Sequence, residues 1–217
     1  RQLNAQSLSV LTGTTMSSGP ASYNWEDYNY PPCVRMWHFT PAELEPPARF
    51  VARLMHVSFL LPVTALSLNP FVTLVLIIGA EQSPLNLMYS VFNLILGASG
   101  GVWVFMTGYK GLATNRAELI RRYVYGWLLV CLFMAAFCLL AFGNINGWVR
   151  AVQLLGGSAD TSISDAMLLV WLVASIVEST LWSCSLATSV VSWCLMVRVY
   201  RDGPMAIRKC GNWTGRV

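Results

Sequence analysis

The chain has 217 residues, 55% of them hydrophobic and only 11% charged, with a formal net charge of +4. Four spans of about 20 residues, with their margins, take up roughly half of such a length and leave no room for a sizeable soluble catalytic domain. The basic residues flank apolar runs and form no single stripe, which argues against a nucleic-acid interface; the six cysteines include no Cys-x-x-C, which removes support for zinc or dithiol chemistry.

Residues 1–28 are polar and rich in Ser, Thr, Gly and Asn, and read as an extended tail able to dock elsewhere. The start has no initiator Met and no apolar signal core, so the expectation is a chain that begins inside a longer or processed protein. Residues 29–49 mix aromatics with Pro31, Pro32, Pro41, Pro46 and Pro47, which forbid one continuous helix. Thr40-Pro41-Ala42-Glu43 fits a capping box with proline at the first helical position. A short turn, a break at Pro46 and a fresh helix near Pro47 follow from this. Trp and Tyr favour the headgroup layer. The segment is therefore expected on the membrane surface, with Tyr30, Trp37 and His38 interfacial and Arg49 and Arg53 facing lipid phosphate or water; a plain structured linker is the alternative.

Residues 50–200 hold four apolar runs, at about 54–80, 87–107, 123–142 and 166–197. The first carries Pro62 and Pro70, which should kink it. The second contains Gly97-x-x-x-Gly101, where another helix can approach closely, and Asn93 one turn away can hydrogen-bond across that contact. The contact is either internal to one bundle or between two copies. A basic loop follows, carrying Tyr109, Lys110, Arg116, Arg121 and Arg122. Residues 143–165 are too polar to span; Trp148, Val152 and Leu155 predict a short amphipathic turn, and Ser164 or Asp165 can cap the last helix. That helix is longer than a bilayer core and must tilt or protrude. Ser175, Ser179, Ser183 and Ala187 recur every fourth residue as a small-residue packing face. Glu178 is the one acidic residue within a span. It is either a functional carboxylate or a buried, hydrogen-bonded structural group.

Charge sets the expected orientation. With the loop cytoplasmic, thirteen of the fourteen Lys and Arg residues lie inside and only Arg150 lies outside, as the positive-inside rule expects. Both termini are then cytoplasmic, and residues 201–217 form a basic tail. Asn212-Trp213-Thr214 is a formal glycosylation acceptor, outweighed by Arg198, Arg201, Arg208, Lys209 and Arg216. Cys210, beside Arg208 and Lys209, is a candidate for palmitoylation. The fold class is all-α: a polytopic membrane protein of four transmembrane helices with short amphipathic surface segments.

No Walker motif, no dinucleotide fingerprint and no His-Glu-x-x-His occurs. The two histidines, His38 and His56, lie at or before the start of the first span. Neither catalysis nor a cofactor or metal is expected. Asn69, Asn93 and Glu178 are too few to argue for transport.

The chain resembles the secretory carrier-associated membrane proteins, the SCAMP family, from about Asn29 to Pro204. The likeness rests on ordered features: Asn29-Tyr30-Pro31-Pro32, then Trp37-His38 and Glu45-Pro46 before the first span; a glycine-rich second span ending at Tyr109-Lys110; Ala117-Glu118-Leu119 leading through Arg121 into an aromatic third span; Val177-Glu178-Ser179 in the last; and an exit through Val199-Tyr200-Arg201. Two family features are missing. Phe105-Met106-Thr107-Gly108 stands where the family has a Trp-Tyr-Arg-Pro stretch associated with fusion, and the one Asn-Pro-Phe triplet, Asn69-Pro70-Phe71, lies inside a span. The resemblance implies a non-enzymatic protein of secretory or endosomal membranes that works through its cytoplasmic faces on anionic lipid and other membrane proteins. A structural accessory subunit of a large complex in an organelle membrane is the alternative; transport is a third.

Overall fold

The structure, a computed structural model, describes residues 23–157 and 163–202. Most of the polar N-terminal tail, Cys210, Asn212 and nearly all of the basic C-terminal tail lie outside the described residues. The elements are a 3-10 turn at Pro41–Glu43, α1 (Pro46–Gly79), α2 (Leu85–Thr114), α3 (Ala117–Leu139), β1 (Ala141–Phe142), β2 (Ile145–Asn146), α4 (Trp148–Leu155) and α5 (Asp165–Asp202). The helices α1, α2, α3 and α5 are each long and apolar enough to cross a membrane. They pack as a closed ring, α1 on α2, α2 on α3, α3 on α5 and α5 on α1. At 1.5 Å per residue α5 is about 57 Å long, well beyond a hydrocarbon core of about 30 Å.

Several hydroxyls inside the spans are satisfied locally. Ser58, Thr64, Ser67, Ser99, Thr107 and Thr180 each return their hydroxyl to the carbonyl four residues back, a low-cost arrangement where water is absent. α1 runs unbroken through Pro62 and Pro70.

Three expectations need correction. First, the basic stretch is not a loop. α2 continues past Thr107 to Thr114 and α3 begins at Ala117, leaving only Asn115-Arg116 as the turn. Asn115 adopts the left-handed conformation, φ 52°, which closes the helix end as asparagine can. Second, Thr40 makes no side-chain cap: its Oγ1 accepts from Asn29 Nδ2 at 2.8 Å and Glu43 turns to His38. The box is dismantled because both members have longer-range partners. Third, the packing seam of α5 does not recur every fourth residue. Its buried positions run Trp171, Ser175, Glu178, Trp182, Ser185, Ser189, Ser192, Met196 and Val199, spaced alternately four and three, with Ser179 buried beside Glu178. That spacing stays on one side of a helix, whereas four-residue steps drift about 40° each. Ser175 and Ser179 are buried, Ser183 is half-buried and Ala187 is exposed.

The segment after α3 is a hairpin rather than a surface loop. β1 and β2 pair antiparallel with Phe142 opposite Ile145. Gly143 takes φ +52°, as the first central residue of a II′ turn requires. Gly147 then passes so close to the end of α3 that a Cβ there would meet the Leu140 carbonyl oxygen and the backbone of Leu139 and Cys138. The hairpin thus tucks Asn144 and Asn146, 6% and 3% exposed, into the end of the bundle. α4 follows as the expected amphipathic turn, and Ser164 caps α5 through Met167 N.

Candidate functional site

Two polar constellations stand at opposite ends of the bundle. At the end carrying the Asn115-Arg116 turn, residues 23–44 fold onto α1 and α2. Tyr30 and Trp37 form an antiparallel bridge, exchanging N–H···O bonds of 2.8 Å. The loop between them projects outward with Val34 and Met36 exposed. Asn29 ties the base: its Oδ1 accepts from Phe39 N at 2.7 Å and its Nδ2 donates to Thr40.

Beneath this loop lies an aromatic layer. Phe39 packs on Tyr30, His56, Phe105 and Tyr109, and Trp25 packs edge-on against His38 and Tyr109. Tyr109 is fully buried and its hydroxyl accepts from Thr40 N at 3.0 Å. His56 Nε2 meets the Tyr30 hydroxyl at 3.2 Å; burial holds that phenol above its ordinary range, so it remains neutral. His38, 2% exposed, faces the Asp27 carbonyl through Nδ1 and the Glu43 carboxylate through Nε2, both at 3.0 Å. Arg49 donates to the Ala42 and Leu44 carbonyls and holds the 3-10 turn.

Residues 29–49 are thus a structured segment docked on the bundle end. Tyr30 and Trp37 are half-buried, His38 is buried, and Arg49 is spent on backbone carbonyls; of that set Arg53 alone is exposed. Tyr109, expected to face lipid or a partner, is instead the hub of the docked segment. Lys110, Arg116, Arg121 and Arg122 are exposed. Lys110 sits 5.7 Å from the Trp25 ring centroid. Arg121 and Arg122 both reach Glu118, at 2.8 and 3.2 Å, in exposed pairs of small worth. On the α2–α3 turn these four cations stand against one carboxylate, Glu118, and make a locally positive patch, while the docked segment beside it carries Glu26, Asp27, Glu43 and Glu45.

At the other end the two hairpin asparagines meet α1 and α5. Glu178, 1% exposed, accepts from Asn69 Nδ2 at 3.3 and 3.2 Å and from Asn146 Nδ2 at 3.2 Å. Asn69 and Asn144 exchange bonds: Asn69 Nδ2 donates to Asn144 O at 2.7 Å, and Asn144 Nδ2 to Asn69 Oδ1 at 3.1 Å. Asn144 also donates to Ser90, which meets Thr73. Asn146 accepts from the Trp171 indole through Oδ1 and from Ser179 through its carbonyl. Ser183 accepts from the Trp148 indole at 3.0 Å. Asn144 and Asn146 escaped the sequence reading because they lie in a loop; the glycines at 143 and 147 bracketing two alternate asparagines were the available signal. Among the described residues no His, Cys, Asp and Glu group could hold a metal ion.

The small-residue positions serve packing within one chain. A Cβ on Gly97 would meet Leu66, and one on Gly101 would lie 3.2 Å from Phe59, both on α1. Asn93 makes no hydrogen bond across that contact; it lines a cavity beside it.

Four apolar helices closed into a bundle, with the segment before them docked at one end, define an integral multi-pass membrane protein. The chain belongs to the SCAMP family, whose model matches residues 27–203, the docked segment and the bundle together. That membership makes it a membrane-trafficking protein of a family not known as enzymatic. No curated protein and no solved structure matches it. The residues standing where the family has its Trp-Tyr-Arg-Pro stretch are helical here, and Phe105, Met106 and Gly108 are buried. Asn69 of the Asn-Pro-Phe triplet is buried in the Glu178 cluster.

Proposed function

We propose that this chain is a non-enzymatic organiser of secretory or endosomal carriers, acting through its basic end, which faces the cytoplasm. The observation that carries this reading is the exposure of Lys110, Arg116, Arg121 and Arg122 beside the docked segment, whose outer loop presents Val34 and Met36. Anionic lipid gathers at the cations, and other membrane or peripheral proteins engage the loop. The Glu178 cluster supports a structural role at the far end, because its carboxylate is already engaged by three amide contacts, which speaks against a transport pathway through it.

Each exposed cation near an anionic surface is worth roughly 1 kcal/mol. Reconstituted with spin-labelled lipids, the full chain should immobilise phosphatidylserine in preference to phosphatidylcholine. The preference should fade when all four cations are changed to glutamine, and also at about 1 M salt, where the Debye length falls to about 3 Å. Equal selectivity in both forms, or residence of the protein solely in an energy-transducing organelle, would remove this reading.

A further inference from the structure

The centre of the bundle contains a cavity of about 400 Å³, reached between α2 and α3. Its floor is glycine: Gly97, Gly100 and Gly101 from α2 and Gly126 from α3. A Cβ on Gly100 would meet nothing within 4 Å, so the space above the floor is open. Aromatic rings close the sides. No charged residue lines it. Its α2 wall runs from Asn93 to Val104, about 17 Å of helix, and lies well inside the span. The neighbour at such an opening is the hydrocarbon of the bilayer.

Two residues lining this apolar slot carry unpartnered polar groups: Trp127, whose buried indole N–H has no acceptor, and Asn93. Asn93 stands at the end nearer the start of α2, and its carboxamide has no hydrogen-bond partner among the described residues. An amide at that depth without a partner is costly, since no bulk water is there to satisfy it. It offers one donor group and one acceptor, which matches a hydroxyl, itself both donor and acceptor. A phospholipid would bring a phosphate, and no cation lines the cavity to receive it. A flat glycine floor without side chains suits a rigid fused-ring body better than a flexible chain, whose ordering costs more entropy.

We infer that the α2–α3 cavity is a binding site for a sterol, its ring system lying on the glycine floor and its hydroxyl bonded to Asn93.

The test uses the full chain in phosphatidylcholine nanodiscs with a photoreactive, clickable sterol, and maps the labelled peptides. Labelling should concentrate on α2 and α3 and be competed by cholesterol. A cholesterol whose hydroxyl is capped as a methyl ether should compete roughly fivefold less well, the worth of about one hydrogen bond. Asn93→Leu should weaken labelling by a similar factor. Gly100→Leu, which fills the open space, should reduce it roughly tenfold or more, while both variants keep the wild-type melting temperature. Three results would overturn the inference: labelling spread over all lipid-facing helices in proportion to sterol content, indifference to the methyl ether together with Asn93→Leu, or protection by a brominated-acyl phosphatidylcholine equal to that by cholesterol, which would make an acyl chain the occupant.

Discussion

Replacing Gly147 with alanine will destabilise the folded chain by about 3 kcal/mol. The new methyl would be driven into the Leu140 carbonyl oxygen and the backbone of Leu139 and Cys138. Backbone cannot swing aside as a flexible side chain can. Nor can the hairpin lift away freely, because Gly147 N donates to Leu140 O at 2.9 Å and Asn144 and Asn146 are anchored below. Gly100→Ala is the control, since its methyl meets nothing; it should be neutral or slightly stabilising, as removal of a helical glycine is. Thermal unfolding of both variants in detergent, followed by circular dichroism, measures the difference. Equal melting of Gly147→Ala and wild type would show that the hairpin is not seated against α3.

The second large effect concerns the Glu178 cluster. Asn69→Leu should cost about 3 kcal/mol, because it leaves the buried Glu178 carboxyl with Asn146 as its remaining side-chain donor and leaves Asn144 bonded to Ser90 alone. Glu178→Leu should cost less, since Asn69 keeps its bonds to Asn144 and Asn146 keeps those to Trp171 and Ser179. Combining the two removes both sides of the interaction, so the double variant should fall short of the sum by roughly 1–3 kcal/mol. Glu178→Gln is the sharper probe. The three contacts reach Glu178 as N–H donors, so a group that is itself half donor cannot accept them all, and a loss of about 1–2 kcal/mol is expected. Strict additivity would contradict the cluster as described.

The spans were legible because a run of about 20 apolar residues has few alternatives to crossing a bilayer. Their ends at the basic side were not. Tyr109-Lys110-Gly111 reads as a loop after an apolar run, yet Tyr109 is buried by Trp25, Phe39 and Thr40, partners far away in the chain. A Cβ on Gly111 would lie 3.0 Å from Ile120, so α2 and α3 stay in contact to their very ends. The same distance in sequence hid the hairpin. Asn144 and Asn146 look like solvent-exposed polar residues, and only the folded bundle brings them to Asn69 and Glu178. Glu178 itself was legible as an anomaly, a carboxylate without a partner in its own helix, and the anomaly pointed to partners elsewhere. The serines of α5 are legible as a packing face, but a strict four-residue repeat drifts around the helix, and Ser185, Ser189 and Ser192 continue the buried seam instead.

All functional roles assigned to the basic end depend on the side of the membrane it occupies. The direct measurement is protease protection on sealed vesicles, with one tag at each end of the chain and a glycosidase shift assay at Asn212. The positive-inside rule, applied to four spans, predicts that both tags are digested while the membrane is intact and that Asn212 carries no sugar. A glycan on Asn212, or one tag digested with the other protected, would contradict the four-span topology and place the exposed cations away from the face where trafficking partners bind.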